Sequence, residues 1–141
     1  MFIRPYRSAD CPALAELFYE TVHTVCAGDY PPEQLDAWDA SFLAHRTLVA
    51  VEGETIVGFA DMDGSGYLDR LYIHRDFQRR GVATALCDAL EAASAAETFT
   101  THASRTARPF FECRGWRVTR ERTVFRRGAA LSNFVMEKPA G

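Results

Sequence analysis

The chain has 141 residues, of which 48% are hydrophobic and 25% charged, and its formal net charge is −3. These values are ordinary for one soluble globular domain and exclude a disordered or fibrous chain. The negative net charge predicts no nucleic-acid partner. The sequence contains no stretch of about 18 apolar residues, so it predicts no membrane span. We therefore expect a single domain over residues 1–141. Its N-terminus lacks the apolar stretch of a signal peptide, which predicts a cytoplasmic protein.

The cysteines and histidines are scattered along the chain. They are Cys11, Cys26, Cys87, Cys113, His23, His45, His74 and His102. None of these residues has the CxxC, HExxH or HxxxH spacing of a metal site, so we predict no bound metal. The cysteines are expected to be reduced thiols, most of them buried.

The first half of the chain predicts a strand, two helices and a β-hairpin. Ser8 or Asp10 offers an N-cap for the first helix, whose apolar residues recur at helical spacing as far as Val25. A glycine–proline break separates the two helices, and a glycine at position 53 marks the hairpin turn. The predicted elements are a strand over 2–6, a helix that ends before residue 28, a helix over 33–43, and strands over 47–51 and 55–60.

The second half alternates strands with helices. The predicted elements are a strand over 67–73, a helix from Val82 to about Ala95, a strand over 99–103, a helix over 107–114 closed by Gly115, and strands over 116–122 and 132–137. An antiparallel hairpin ahead of a β-α-β unit predicts the α+β class, with a mixed, mostly antiparallel central sheet.

The sequence QRRGVA at residues 78–83 lies between a predicted strand and a predicted helix. Gly81 and Ala83 are small enough to let a ligand approach the backbone. The first turn of the helix offers free N–H groups and the positive end of the helix dipole, and Thr84 adds a hydroxyl. The segment therefore predicts a phosphate or pyrophosphate site, with a solvated basic turn as the structural alternative. It lacks the GxxxxGK[ST] of a P-loop and the three glycines of a dinucleotide fingerprint.

This segment, after the strand LDRLYI, resembles the acetyl-CoA motif [RQ]-x-x-G-x-[GA] of the GNAT superfamily of N-acetyltransferases. It matches that pattern at Gln78, Gly81 and Ala83. The later segment ARPFFECRGW, residues 107–116, is similar to the family's helix with an aromatic-Glu-x-x-Gly-aromatic pattern. The order of predicted elements agrees over nearly the whole chain. The segments GDYPPEQLDAW and RTVFRRGAALSNFVMEK resemble a bacterial YafP-like branch.

The resemblance implies a GNAT-type fold, whose central sheet is splayed and carries helices on both faces. It also implies acetyl-CoA as the acyl donor, with the pantetheine arm pairing like an added strand along the predicted strand 67–73. The N–H groups of the following loop would wrap the pyrophosphate, and an N–H near the end of the strand would polarise the thioester carbonyl. The implied cofactor-binding residues are Leu71, Tyr72, Ile73, Gln78, Arg79, Arg80, Gly81, Val82, Ala83 and Thr84.

The implied activity is transfer of the acetyl group of acetyl-CoA to an amine of a small molecule or peptide, directly in a ternary complex. Members of the family often carry a tyrosine that protonates the leaving thiolate, and Phe111 stands at that position here. This difference leaves open an alternative, an acetyl-CoA-binding sensor or interaction module with little turnover. The expected partners are acetyl-CoA and an amine acceptor, and a homodimer is left open.

An ammonium acceptor must lose a proton before it attacks, so a general base is expected. The candidate bases are Asp69 on the strand beside the thioester, His23 on the first helix, and Glu20. For Asp69 the structural alternative is an ion pair with the neighbouring Arg70 or with another surface arginine. The acceptor side is predicted around the glycine–proline break, with His23 and Tyr30 facing the thioester. The aromatic residues Tyr19 and Trp38 would wall this pocket, or else pack the first two helices together. Either Tyr30, Tyr72 or Ser104 supplies a hydroxyl in place of the missing tyrosine, or no acid is needed.

Overall fold

The computed structural model describes residues 1–22, 32–126 and 128–140. Its elements are β1 (Phe2–Pro5), α1 (Cys11–Val22), α2 (Pro32–Ala44), β2 (Arg46–Glu52), β3 (Thr55–Met62), β4 (Tyr67–Ile73), α3 (Val82–Ala93), β5 (Thr98–Ser104), α4 (Arg108–Cys113), β6 (Arg117–Arg126) and β7 (Ala129–Pro139). Within this part of the chain, no helix is long and apolar enough to cross a membrane.

The strands form one sheet in the order β1-β2-β3-β4-β5-β7-β6. Neighbouring strands are antiparallel except β4 and β5, which are parallel. The predicted α+β class with a mixed, mostly antiparallel sheet is therefore confirmed. The two parallel strands pair only at Tyr67 with Thr100 and at Leu68 with Thr101. Beyond Leu68 they separate, so the sheet is splayed as predicted.

Both faces of the sheet are covered at β2, because apolar residues along this strand point alternately to the two sides. On β2, Val49 and Val51 point to a cluster that includes Leu14 and Leu17 of α1. Ala50, between them, points to the opposite cluster, which includes the buried face of α3 and Phe111 of α4. Helices thus lie on both faces of the sheet, as the family resemblance implied.

A β-bulge lies in β4 next to the point where the sheet separates. Asp61 of β3 pairs with Arg70, whereas the next residue, Met62, pairs with Leu68. Asp69 is therefore the extra residue of the bulge. A bulge bends its strand and increases the local twist, which fits the departure of β4 from β5 just after Leu68.

The last two strands are longer than predicted. β6 runs to Arg126 and β7 begins at Ala129, beyond the predicted spans of 116–122 and 132–137. The distal half of this hairpin places apolar residues side by side, as in Val124–Phe125 and Ala129–Leu131, and so has no strict alternation, yet it forms cross-strand pairs such as Thr123 with Ser132. Cross-strand hydrogen bonding extends the strands where hydrophobic periodicity gives no signal.

Two helix ends also differ from the prediction. Asp10 does not act as a simple N-cap, because its carboxylate accepts the Arg7 amide and the Arg4 guanidinium and closes a short turn before α1. The helix α3 ends at Ala93, two residues before the predicted end. Ser94 adopts an extended conformation there, and its hydroxyl accepts the amide of Ala96.

The thiols agree with the prediction over the described part of the chain. Cys11 and Cys87 are buried and Cys113 is exposed, and all three are free. Burial raises the pKa of Cys87 to about 12, so this thiol stays protonated at neutral pH. Cys26 and Val25, the predicted end of the first apolar stripe, lie outside the described residues.

Candidate active site

The edge of β4 beyond Leu68 is open on the side of β5. Its other edge pairs with β3, where Leu71 lies opposite Ala60, and Ile73 opposite Gly58. In the described part of β5, only Thr100 and Thr101 pair with β4. The predicted pantetheine-binding residues therefore lie on a strand with one free edge, the arrangement that a strand-like ligand needs.

The start of α3 lies after the loop that leaves β4. Ala85 makes the first helical bond, donating to the Gly81 carbonyl at 3.0 Å, so the amides of Val82, Ala83 and Thr84 precede that bond. Gly81 has a φ of +80°, and a Cβ built on it would meet nothing within 4 Å. The helix start therefore presents amides at an open surface, which suits an anion.

The backbone of the loop is strained at Arg79, which has a φ of +63°. Such a conformation costs a non-glycine residue on the order of 1–3 kcal/mol and is frequent at functional sites. The Arg80 guanidinium lies 5.2 Å from the centroid of the Phe77 ring. Gln78 contacts the carbonyl of Ile73 through its side-chain amide at 3.5 Å. The exposed loop thus contacts the end of β4 through the side chain of Gln78.

Asp69 is exposed at the bulge, beside the split in the sheet. The predicted alternative was an ion pair with Arg70 or another surface arginine, and within the described residues Asp69 has no arginine within 4 Å. Arg70 instead bonds the fully buried carboxylate of Asp61, through its amide at 2.9 Å, through Nε at 2.8 Å and through Nη2. The same Nη2 donates to the Ser41 hydroxyl, so this pair joins β3 and β4 to α2. Asp69 is left available to a ligand at the open edge.

His45 completes this cluster and was not predicted from the sequence. Its Nδ1 lies 3.0 Å from Oδ2 of Asp61. One potential ligand atom each from His45, Asp61 and Asp69 lie within 4.8 Å of one another. Both oxygens of Asp61 already accept hydrogen bonds from Arg70, so a cation here would have to displace that ion pair. His45 and Arg70 therefore form a hydrogen-bonded network around Asp61, and this arrangement does not fit a metal centre.

Across the split, His102 lies on β5 and its ring contacts Tyr67 at a centroid distance of 5.3 Å. Arg122 of β6 points its Nη1 at Nδ1 of His102, 3.2 Å away. Since a guanidinium can only donate, Nδ1 must accept, and the neutral ring carries its proton on Nε2. Partial burial, with the charges of Arg122 and Arg120, lowers the pKa of His102. The sequence alone gave no reason to single out His102 or Tyr67.

Phe111 packs in the core. It is 3% exposed, and its ring lies 5.2 Å from that of Trp116, whose amide donates to the Phe111 carbonyl. The aromatic-Glu-x-x-Gly-aromatic segment therefore closes α4 and offers no hydroxyl at this position. Of the predicted substitutes, Tyr72 packs against Phe18 and Phe59. Ser104 accepts the amide of Ala107 at 3.1 Å.

The remaining predicted acceptor-side residues are described only in part. His23 and Tyr30 lie outside the described residues, as do the side chains of Tyr19 and Glu20. Trp38 packs against Phe18 at a ring distance of 6.0 Å and so joins α2 to α1.

A splayed mixed sheet, with an amide-lined helix start beside the split, defines the class of acetyl-CoA-dependent acyltransferases. Residues 19–138 match the family model described as the acetyltransferase (GNAT) domain. The chain is also 33% identical over 142 residues to YafP of Escherichia coli K12, named an uncharacterized N-acetyltransferase. That match spans 95% of this chain and 93% of the relative. The chain therefore belongs to the GNAT family of acetyltransferases, and its predicted YafP-like branch is supported.

Solved structures agree with this assignment. A GCN5-related N-acetyltransferase from Rhodopseudomonas palustris is 35% identical, with a TM-score of 0.79 and coverage of 98% of this chain and 94% of the other. The Salmonella typhimurium protein yncA, solved with acetyl-CoA, is 18% identical with a TM-score of 0.81, and the match covers 100% and 94% of the two chains. The first supports the family and the second shows the shared fold. Together with the family assignment, they confirm the predicted fold and class of enzyme.

Proposed function

We propose that this chain is a single-domain N-acetyltransferase that moves the acetyl group of acetyl-CoA to an amine of a small molecule or peptide. The observation that carries the proposal is the split between β4 and β5 after Leu68, which leaves a free strand edge leading to the amide-lined start of α3. The free strand edge and the start of α3 follow each other in the same order as the pantetheine arm and the pyrophosphate of acetyl-CoA.

The residues present fit this donor. The backbone of Leu71, Tyr72 and Ile73 would pair with the pantetheine amides along the open edge. The amides at the start of α3 and the open space over Gly81 would hold the pyrophosphate, with the exposed Arg79 and Arg80 beside it. Bound acetyl-CoA supplies the activated acetyl group as a thioester. The residues assigned to its binding are Leu71, Tyr72, Ile73, Gln78, Arg79, Arg80, Gly81, Val82, Ala83 and Thr84.

The transfer requires removal of one proton from the amine and replacement of the carbon–sulfur bond of the thioester by a carbon–nitrogen bond. The amine nitrogen bonds to the acetyl carbon, the carbon–sulfur bond breaks, and the amine proton goes to a base. Asp69 is our candidate for this base, because it is exposed at the bulge where the strands separate and Arg70 is already paired elsewhere. The thiol of coenzyme A, with a pKa near 8.5 by analogy with cysteine, leaves with little acid assistance. Since little acid assistance is needed, the transfer is compatible with Phe111, which has no hydroxyl to donate a proton.

His23 and Tyr30 complete the proposal on the acceptor side, where they would face the thioester. Their support is the sequence pattern around the glycine–proline break, since exposed loops of this kind often recognise ligands. A homodimer is compatible with the proposal and is not required by it.

Gly81→Val is expected to weaken acetyl-CoA binding at least tenfold in isothermal titration calorimetry. A branched side chain there would fill the open space over the α3 amides and displace a charge-assisted contact worth about 1.5–3 kcal/mol. Gly53→Val is the matched control, because Gly53 also has a positive φ and open space, but lies in the β2–β3 turn. Unchanged affinity in Gly81→Val would place the cofactor elsewhere.

The activity itself is tested by release of coenzyme A thiol from acetyl-CoA, assayed against polyamines, amino acids, aminoglycosides and peptides. We expect turnover with at least one amine and formation of the corresponding amide. If acetyl-CoA binds normally and every class of amine fails, the sensor or interaction module becomes the better description.

A further inference from the structure

We propose that the open face of the sheet beside the split recognises an anionic group on the acceptor, through Arg120 and Arg122 together with His102. The acceptor would then be an amine that carries a carboxylate or phosphate at its far end. This inference rests on the proposed function and narrows it to a substrate class.

The register of the C-terminal strands places these residues on one face. His102 of β5 lies opposite Val135 of β7, which lies opposite Arg120 of β6. In the neighbouring row, Asn133 of β7 lies opposite Arg122. Residues that pair directly across antiparallel strands point to the same side of the sheet, so both rows share one face.

This face is the one that the helices leave open. The opposite faces of the same strands are buried beneath α3 and α4, through Phe99, Ala103, Phe134 and Met136. By contrast, His102 and Arg120 are exposed. The helices α1 and α2 pack over β2, β3 and β4 on the other side of the split. The described residues therefore leave a polar strip running from the split to the outer strand.

The net charge on this strip is positive. Arg117 lies opposite Glu137, the one carboxylate that the described residues of β5, β6 and β7 place on this face, and Arg120 and Arg122 add two further cations. Arg122 reaches back across β7 to His102, which brings its guanidinium to the β5 side of the face. Within the described ranges, neither Arg120 nor Arg122 has a carboxylate within 4 Å. Both arginines lower the pKa of His102, while Asp69 acts in the opposite direction from β4. Asp69, the candidate base on one side of the split, thus faces a surface on the other side that can bind an anion.

The spacing of the strands limits the shape of the acceptor. Arg120 on β6 is two paired interstrand steps from His102 on β5, about 10 Å between backbones, and Asp69 lies further away on β4, where that strand has left β5. An amine beside Asp69 and an anion attached to the same carbon cannot span that separation. The geometry therefore favours an acceptor whose amine and anion are several bonds apart.

Matched acceptors test the charge preference directly. 6-Aminohexanoate and 6-aminohexanamide have the same chain and amine, and differ in the anionic end. We expect the wild-type kcat/KM to favour the carboxylate, and Arg122→Gln or Arg120→Gln to reduce that preference about tenfold, as expected for one charge-assisted bond. Arg46→Gln, at the start of β2, is the matched control and should keep the wild-type preference. Equal loss for both acceptors would overturn the inference.

A measurement without turnover separates this inference from the proposed function. In the free protein, NMR titration of His102 at constant ionic strength should show its pKa rising with 6-aminohexanoate and not with 6-aminohexanamide, because a bound anion offsets the charge of Arg122. In Arg122→Gln the carboxylate should no longer produce this rise. Absence of the rise in wild-type protein overturns the anion site, whereas acetyl-CoA binding without acetylation of any amine overturns the enzyme.

Discussion

Replacing Arg70 with methionine is expected to destabilise the protein by about 3–5 kcal/mol. The substitution removes the two hydrogen bonds that the guanidinium donates to the Asp61 carboxylate and leaves only the bond from the backbone amide, so a fully buried charge loses its main partner. It also removes the bond to Ser41 and the stacking of the guanidinium over Phe42 at 4.4 Å. For a chain of this size the loss corresponds to a fall in Tm of roughly 10–20 °C.

Two comparisons identify the cause of that loss. Arg108→Met breaks an exposed ion pair with Glu112 and should cost less than about 1 kcal/mol. The double variant Asp61→Leu with Arg70→Met should recover part of the stability, because no unpaired charge then remains in the interior. Denaturant unfolding of the wild type and of these three variants measures the differences in free energy of unfolding. If Arg70→Met unfolds at the wild-type denaturant concentration, the cluster does not hold β3 and β4 to α2.

Asp69→Asn is expected to lower kcat by about 10²- to 10⁴-fold, the usual contribution of a general base. The side chain is exposed and has no ion-pair partner within 4 Å in the described ranges, so Tm and acetyl-CoA affinity should stay close to wild type. The residual rate should rise with pH up to the amine pKa near 10, since only the fraction of acceptor that is already deprotonated can react. Steady-state kinetics from pH 6 to 10 measures both effects.

The control for this variant is Asp36→Asn, which removes an exposed carboxylate from α2 and should leave the kinetics unchanged. A variant Asp69→Asn with the wild-type kcat would assign the proton to another group, with His23 next to be tested. Loss of acetyl-CoA binding in the same variant would instead make Asp69 a residue that shapes the split.

The elements of the candidate cofactor site were predictable because their sequence signals are local. The strand Tyr67–Ile73 has the predicted bounds, and α3 begins at the predicted Val82. A β-rich run followed by a polar loop with a glycine, and then a helical apolar stripe, fixes a strand, a turn and a helix in neighbouring residues. The family motif falls on the same segment, so the candidate cofactor site follows from about 18 consecutive residues.

The rest of the candidate site depends on contacts between distant parts of the chain. His45 meets Asp61 across 16 positions, and His102 meets Arg122 across 20. Neither contact has a spacing motif, because each depends on strand register. The bulge at Asp69 is equally invisible in the sequence, since a single unpaired residue leaves the pattern of apolar positions nearly intact. These contacts depend on how the strands align in the sheet, which no local pattern in the sequence determines.

The short parallel contact between β4 and β5 has a mechanical consequence. Four strands lie on one side of this seam and three on the other, and Tyr67, Leu68, Thr100 and Thr101 are the described residues that pair across it. A molecule lying in the split would touch both parts and act as a brace between them. Its binding free energy would then add to the resistance of the seam to opening, by about 2.7 kcal/mol at a concentration one hundred times Kd. The cellular supply of the acyl donor would thus set how stiff the sheet is, as well as how fast the reaction runs.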